Sequence, residues 1–153
     1  MSAPIVSWRL GDNSGPFERW DIGMIDAGQE SAEQEILIWN NHGGAEDVAH
    51  MQDCVITTTD GMNDETDVVK GKWVYVRCDS MDEVEFTQVG GQAKKTIGAR
   101  GADEGVIEGT ANDGTMENSE KNFAKITAYF RSDLHGVTAG ERNFKLRVEY
   151  FYV

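Results

Sequence analysis

Hydrophobic and polar residues alternate with a period of two along the last ten residues of the chain. The alternation predicts a half-buried β-strand over Asn143–Tyr152. We expect Tyr150 and Tyr152 to close the core and the strand to complete the fold without an appendage, so that removal of Tyr150–Val153 unfolds the domain. The apolar positions that share one face of this strand are Phe144, Leu146, Val148, Tyr150 and Tyr152.

Shorter segments of the same kind, rich in β-branched and aromatic residues, recur along the chain and are separated by Gly- and Asn-containing turns. The predicted strands are Pro4–Leu10, Trp20–Ile25, Glu35–Trp39, Cys54–Thr58, Lys72–Cys78, Glu85–Val89, Lys94–Ile97, Val106–Ile107, Ala124–Phe130 and Asn143–Tyr152. One short helix is predicted at Ala45–Met51, with acidic residues near its amino end. Gly occurs 17 times and Pro only twice. Strands broken by Gly-rich turns predict an all-β, antiparallel sandwich with at most one short helix.

The segment Asp79–Asn122 differs from the rest, because it holds seven glycines and only short apolar pieces. A segment of this length with little regular structure is usually functional or disordered. We interpret it as a long Gly-rich excursion within a single domain of residues 1–153. Two alternatives stay open: a surface loop, or an arm that becomes ordered on a neighbouring molecule. A basic cluster within it, formed by Lys94, Lys95 and Arg100, is a candidate contact for acidic patches of a partner.

Length and charge restrict the classes of function. A chain of 153 residues is long enough to bury the core of one domain. Fourteen basic against 27 acidic residues give a net charge of −13, which repels nucleic acids and anionic membranes. We therefore expect neither nucleic acid nor a membrane as a partner. Met1–Leu10 lacks the basic start and apolar centre of a secretory signal, so we expect the chain to mature in a cytoplasm.

Two cysteines, Cys54 and Cys78, lie on apolar faces of predicted strands. Two are too few for a disulfide framework. Buried free thiols are the preferred interpretation, and a bridge between the two sheets is the alternative.

No sequence motif for catalysis or cofactor binding is found, so we predict a protein without enzymatic activity, cofactor or metal. His42 and His50 are separated by a spacing that matches no zinc signature. The acidic loop Asp60–Asp67 offers oxygen ligands for calcium but lacks the spacing of a helix–loop–helix calcium site, so a solvated hairpin tip is preferred. Nucleophile and phosphate-loop motifs are absent, and nothing marks out one pair of acids for glycoside hydrolysis.

The strand predicted at Lys72–Cys78 carries a candidate binding surface. If its aliphatic residues face the core, the residues of the other face point outward together. Aromatic side chains beside an arginine are the composition of an interface hot spot. They would also serve as a platform for stacking sugars, and internal packing beneath a loop is the third possibility. The residues of this outward face are Trp73, Tyr75 and Arg77.

Two parts of the chain resemble known families. Trp20–Gly28 and Ile36–Gly44 together resemble the opening of immunoglobulin-like domains, in which a turn ending in Ala-Gly precedes a strand that ends in Asn. The second part, Ala111–Gly114 with Asn122–Lys125, Ala139–Gly140 and the last strand, resembles the close of small virion proteins of tailed bacteriophages. Together these parts cover most of the chain.

The resemblance implies an immunoglobulin-like β-sandwich that is a structural protein of a bacteriophage virion. The preferred role is capsid decoration, in which many copies bind the outer surface of the head and staple neighbouring subunits by avidity. The expected partners are the major capsid protein or other virion subunits, with this protein as a homo-oligomer on a particle assembled in the host cytoplasm. A tail or baseplate component and a glycan-binding module are the alternatives.

Overall fold

The computed structural model describes all residues from Met1 to Val153 and arranges them in two antiparallel sheets. The strands are β1 (Val6–Leu10), β2 (Gln34–Asn40), β3 (Gln52–Thr59), β4 (Val74–Cys78), β5 (Thr87–Val89), β6 (Lys95–Thr96), β7 (Phe123–Phe130) and β8 (Lys145–Phe151). One helix, α1 (Asp67–Lys70), and two 3₁₀ turns, Asp79–Met81 and Glu120–Asn122, complete the regular structure. The predicted all-β sandwich with at most one short helix is confirmed. The immunoglobulin-like assignment stays a prediction.

The two sheets share one hydrophobic core. Five strands pair in the order β1-β2-β7-β4-β5, and three pair in the order β6-β3-β8. Alternation along β7 turns Ala124, Ile126 and Ala128 inward, into the same buried cluster as Cys54 and Ile56 of β3. Successive side chains of a strand point to opposite faces, so each strand of the five-stranded sheet also presents a second set of residues to its outer face.

Two predicted elements are not formed. Trp20–Ile25 is not a strand: it makes no ladder with either sheet, although Trp20, Ile22 and Ile25 pack against the core. The helix predicted at Ala45–Met51 is wrong as well, because this part of the chain is extended. There the Val48 N–H donates to Gly109 O, and Met51 bridges Ile107. Tertiary hydrogen bonds outweigh a weak local helix preference at this site.

Asp79–Asn122 is neither a surface loop nor a free arm. It supplies β5 to one sheet and β6 to the other, and Val89, Ile97 and Ile107 within it are fully buried. The predicted strand at Val106–Ile107 is reduced to the single bridge between Ile107 and Met51. This excursion therefore closes the core between the two sheets.

Buried asparagines fasten the excursion to the end of β2. The side chain of Asn40, which is fully buried, accepts a hydrogen bond from Ile5 N and donates to Ala49 O and Ile107 O. One amide thus bonds three backbone groups. Three further asparagines donate side-chain hydrogen bonds to carbonyl groups in the same region: Asn41, Asn112 and Asn122.

The end of β8 does not close the core. Phe144, Leu146 and Val148 pack against the core cluster, but Tyr150 and Tyr152 are 37% and 47% exposed. The expectation that these two tyrosines complete the core is therefore wrong. The predicted strand is formed, but its last residues extend past the hydrophobic core.

Both cysteines are buried free thiols, which confirms the preferred interpretation of the sequence. Cys54 is fully buried, and burial is the main reason that its pKa is raised to about 12. A thiol with so high a pKa carries almost no thiolate at neutral pH, and the thiolate is the nucleophilic form. Cys54 is therefore a small apolar core residue.

A candidate docking surface on the five-stranded sheet

The outer face of the five-stranded sheet is divided between a covered part and an open part. At the end of β2 and the start of β7, Leu37, Trp39 and Phe123 are buried beneath Met116. This second, smaller core is formed by the part of the excursion that folds over the sheet. The covered part is consequently occupied by the chain itself, and the open part lies over the other end of β7 and over β4.

Three aromatic side chains and one arginine meet on the open part. Tyr75 of β4 lies directly opposite Tyr129 of β7, and their rings stack with centroids 4.7 Å apart and planes 7° apart. Phe86, just before β5, meets Tyr129 edge-on at 4.8 Å. The guanidinium of Arg77 lies 4.8 Å from the centre of the Phe86 ring. All four residues are partly exposed. We name Tyr75, Arg77, Phe86 and Tyr129 the aromatic patch.

Arg77 is held in a fixed orientation within the aromatic patch. Its Nε donates to Asp79 Oδ1 at 2.7 Å, and Thr127 Oγ1 donates to the other oxygen of the same carboxylate. The side chains of Arg77 and Asp79 are 27% and 21% exposed, so the ion pair is partly shielded from solvent. The ion pair fixes the position of the guanidinium, which keeps one face over Phe86 and remains accessible from solvent.

The surroundings of the aromatic patch are acidic. Partial burial raises the pKa of Tyr129, and the nearby carboxylates of Glu30 and Glu33 raise it further. A shallow cleft of about 500 Å³ lies beside Arg77 and is lined by Asp12, Glu33 and Glu35 among others. A partner that fits this surface therefore has an apolar centre and a basic rim.

Only part of the predicted outward face is found. Tyr75 and Arg77 point outward, but the expectation that Trp73 lies beside them is wrong. Trp73 is 3% exposed and packs edge-on against Phe130 at 5.8 Å. Lys72 adopts a left-handed conformation with φ of 56°, which interrupts the alternation just before β4. Trp73 and Val74 both turn inward as a result.

Two members of the aromatic patch were missed in the sequence. Tyr129 lies on a strand that was predicted, in phase with Thr127 and Lys125, and its outward position follows from that alternation. Phe86 lies within the strand predicted at Glu85–Val89, but the paired strand β5 begins one residue later, at Thr87. Its position depends on the way the excursion returns to the sheet.

Lys94, Lys95 and Arg100 lie in separate ion pairs within the chain. Lys94 pairs with Glu149 at 2.9 Å, and Arg100 Nη1 pairs with Asp82 at 2.7 Å. Lys95, whose side chain is 11% exposed, pairs with Glu83. Each of the three cations thus has its own carboxylate partner within the chain. The expectation that they present a basic cluster to a partner is therefore wrong.

The two histidines considered as metal ligands have separate partners. The ring of His42 packs edge-on against Trp39 at 4.5 Å, and burial lowers its pKa. Nδ1 of His50 accepts a hydrogen bond from Gly109 N at 2.8 Å. Each imidazole therefore has a local structural role.

The loop considered for calcium is held by its own backbone. The carboxylate of Asp60 accepts hydrogen bonds from Met62 N and Asp64 N at 2.7 and 3.1 Å. These bonds also lower the pKa of Asp60. Nowhere in the chain are three or more His, Cys, Asp or Glu side chains grouped so that they could hold a metal ion.

Comparison with protein-family models, with curated proteins and with solved structures finds no match. None of the helices has the length and apolar character needed to cross a membrane. The aromatic patch is the most distinctive feature of the surface of the chain.

Proposed function

We propose that this protein is a non-enzymatic structural protein of a bacteriophage particle that docks through the aromatic patch onto the outer surface of the capsid. The observation that carries the docking role is the group of three aromatic rings and one oriented arginine on the outer face of the five-stranded sheet. The bacteriophage setting is drawn from the resemblance of the sequence to small virion proteins. The sandwich fold is compatible with this setting, but proteins of many unrelated functions share such a fold.

The aromatic patch has the chemistry of a binding hot spot. Tyr and Arg dominate the residues whose truncation costs most affinity at protein interfaces. Tyr75 and Tyr129 are already stacked, and Arg77 is already fixed by Asp79, so few side-chain rotamers are lost when a partner binds. A preorganised surface of modest area can therefore bind usefully, particularly when repeated over many sites of a shell.

The charge of the chain fits a protein present in many neighbouring copies. A net charge of −13 keeps separate copies soluble and disfavours contact between their acidic surfaces. The acidic rim of Asp12, Glu33 and Glu35 beside the aromatic patch selects a partner with lysine or arginine around an apolar centre. The docking surface of the capsid subunit is therefore expected to be basic at its edge.

A glycan is a weaker candidate for the occupant of the aromatic patch. Sugars stack on open ring faces, whereas Tyr75 and Tyr129 each cover one face of the other ring. The edge of Phe86 lies against Tyr129, and Arg77 lies over the Phe86 ring. The arrangement leaves hydroxyl groups and ring edges toward solvent, which suits hydrogen bonding and packing at a protein interface better.

The location of the chain in a purified particle tests this function. Bacteriophage particles that contain the protein are imaged at subunit resolution, and the sandwich is fitted into the density. We expect copies on the outer surface of the head, with the face that carries Tyr75 and Tyr129 against the shell. A position restricted to the tail, or a head position with this face toward solvent, contradicts the proposal.

A further inference from the structure

The strand β8 is the long edge of the sandwich that the chain leaves open. Its seven residues pair with β3 on one side, and no backbone group of the chain bonds its other side. The other edges are protected: Gly15 O and Phe17 N bond the backbone of β1, whereas β5 and β6 have only three and two residues. A long unpaired edge is a template for pairing with another strand.

The exposed side chains at the end of β8 mark this edge as incomplete. Tyr150, Phe151 and Tyr152 are 37%, 49% and 47% exposed, and no residue of β8 is fully buried. Three consecutive exposed aromatic residues at the end of an open strand are unfavourable in a monomer. They are explained if another strand lies alongside and covers them.

We propose that β8 pairs antiparallel with β8 of a second copy of this chain, around a two-fold axis at Val148. The two three-stranded sheets then join into one sheet of six strands, β6-β3-β8 followed by β8-β3-β6 of the second copy. In one register of this pairing, the positive and negative side chains of β8 lie opposite each other. A two-fold interface requires this property, since residue i contacts residue j and j contacts i.

Charge selects the register. A two-fold axis at Val148 places Arg147 opposite Glu149 of the second copy, twice in the dimer. An axis at Arg147 would set two arginines opposite each other, and an axis at Glu149 would set two glutamates opposite each other. Moving the two-fold axis to a point between two residues would place the apolar face of one β8 beside the charged face of the other. Arg147 and Glu149 already pair at 3.0 Å along one strand, so the dimer forms a closed group of four alternating charges.

The same register covers the exposed aromatic residues. Leu146 lies opposite Tyr150 of the second copy, and Phe144 lies opposite Tyr152, all on the face that continues the core. On the outer face, Phe151 lies opposite the aliphatic stem of Lys145. Each of the three exposed aromatic side chains thereby gains an apolar neighbour.

The local charge of β8 adds little to the repulsion between two copies of this acidic protein. Its charged residues are Lys145, Arg147 and Glu149, so the strand is net positive. Lys94 also lies nearby, paired with Glu149 at 2.9 Å. The repulsion between two chains of charge −13 comes from more distant surfaces. At physiological salt, interactions between exposed charges more than about 8 Å apart are largely screened.

A charge-reversal and rescue series tests the pairing. The molar mass of the wild-type chain is measured by sedimentation at micromolar to high micromolar concentration, beside Arg147→Glu, Glu149→Arg and the double variant. We expect a dimer for the wild type, weakening of at least tenfold for each single variant, and recovery of the dimer in the double variant. Lys125→Glu, on the other sheet, is the control for a change of charge and keeps the dimer.

Each outcome decides the proposal. A wild type that stays monomeric throughout the concentration range overturns it. The proposed register is overturned if the dimer persists in both single variants. It is also overturned if the double variant remains monomeric while its circular dichroism and thermal unfolding match the wild type. If a single variant fails to fold, truncation of Tyr150–Val153 replaces it, because those residues are exposed and their loss is expected to weaken the dimer while leaving the sandwich folded.

Discussion

Tyr75 and Tyr129 lie opposite each other on β4 and β7, and their rings stack with centroids 4.7 Å apart. The stack orders two side chains on a sheet face where no loop covers them. It brings a third ring, Phe86, against Tyr129 and leaves Arg77 beside it. The relationship is a cross-strand pair, which stabilises a sheet modestly, and it prepares a surface for a partner.

Replacing Asn40 by alanine is expected to destabilise the fold strongly. Its side chain bonds Ile5 N, Ala49 O and Ile107 O in a fully buried position. Each buried group left without a partner costs about 1–3 kcal/mol, so we expect a loss of at least about 2 kcal/mol. Urea unfolding measures it. Asn63→Ala, on an exposed loop, is the matched control and should change the free energy of unfolding by less than about 0.5 kcal/mol.

Removing one partner of the Lys95–Glu83 ion pair is expected to lower the free energy of unfolding more than removing one partner of an exposed pair. The two side chains are 11% and 23% exposed and connect β6 of one sheet to the chain that follows β4 of the other. Glu83→Gln leaves the ammonium poorly compensated in a partly buried site, and we expect a loss of about 1–3 kcal/mol. A double-mutant cycle with Lys95→Met isolates the interaction. The Lys70–Glu65 pair, 71% and 61% exposed, should give a coupling near zero in the same experiment.

The excursion is expected to be essential for folding. Ile107 is fully buried within it and bonds Met51, so Ile107→Ala should cost about 2–5 kcal/mol of unfolding free energy. Val84 is 85% exposed in the same excursion, and Val84→Ala should be almost neutral. Equal effects of the two substitutions would show that the excursion packs loosely on the sandwich.

Cys54 is expected to make the protein less stable at alkaline pH. Burial raises its pKa from the ordinary 9.0 to about 12, so between these values the unfolded chain loses the thiol proton first. The stabilisation is complete below pH 9 and declines as the pH rises toward 12, by at most about 1.4 kcal/mol per pH unit. Urea unfolding at several pH values should show this slope, and it should be smaller in Cys54→Ala. An identical slope in both proteins would contradict the assignment.

The fold class followed from the sequence because alternation reports burial directly. In β8 the pattern correctly identified Phe144, Leu146 and Val148 as core-facing, but Tyr150 and Tyr152 are exposed. A strand was also predicted at Trp20–Ile25; Trp20 and Ile22 pack against the core, yet their segment joins neither sheet. Hydrogen bonds of a ladder depend on the neighbouring strand, and the sequence of one segment does not contain that information.

Half of the candidate site followed from the same pattern. Tyr75 and Arg77 were predicted outward and are outward, whereas Trp73 is turned inward by the left-handed Lys72. Phe86 is placed by the path of a long segment, which no local periodicity encodes. The pairing of Lys95 with Glu83 is also a long-range contact, so the sequence showed a basic cluster where the fold has separate ion pairs.

The affinity of the protein for capsids that lack it tests the docking surface most directly. Wild type, Tyr129→Ala and Met24→Ala are mixed with such capsids, and bound protein is measured after sedimentation. Met24 is fully exposed, is not a member of the aromatic patch and serves as the control. Thermal unfolding checks that all three proteins are folded. The account predicts that Tyr129→Ala binds at least about tenfold more weakly, a loss of about 1.4 kcal/mol, and that Met24→Ala binds as wild type. Equal binding of folded wild type and Tyr129→Ala, or no binding by wild type, would contradict it.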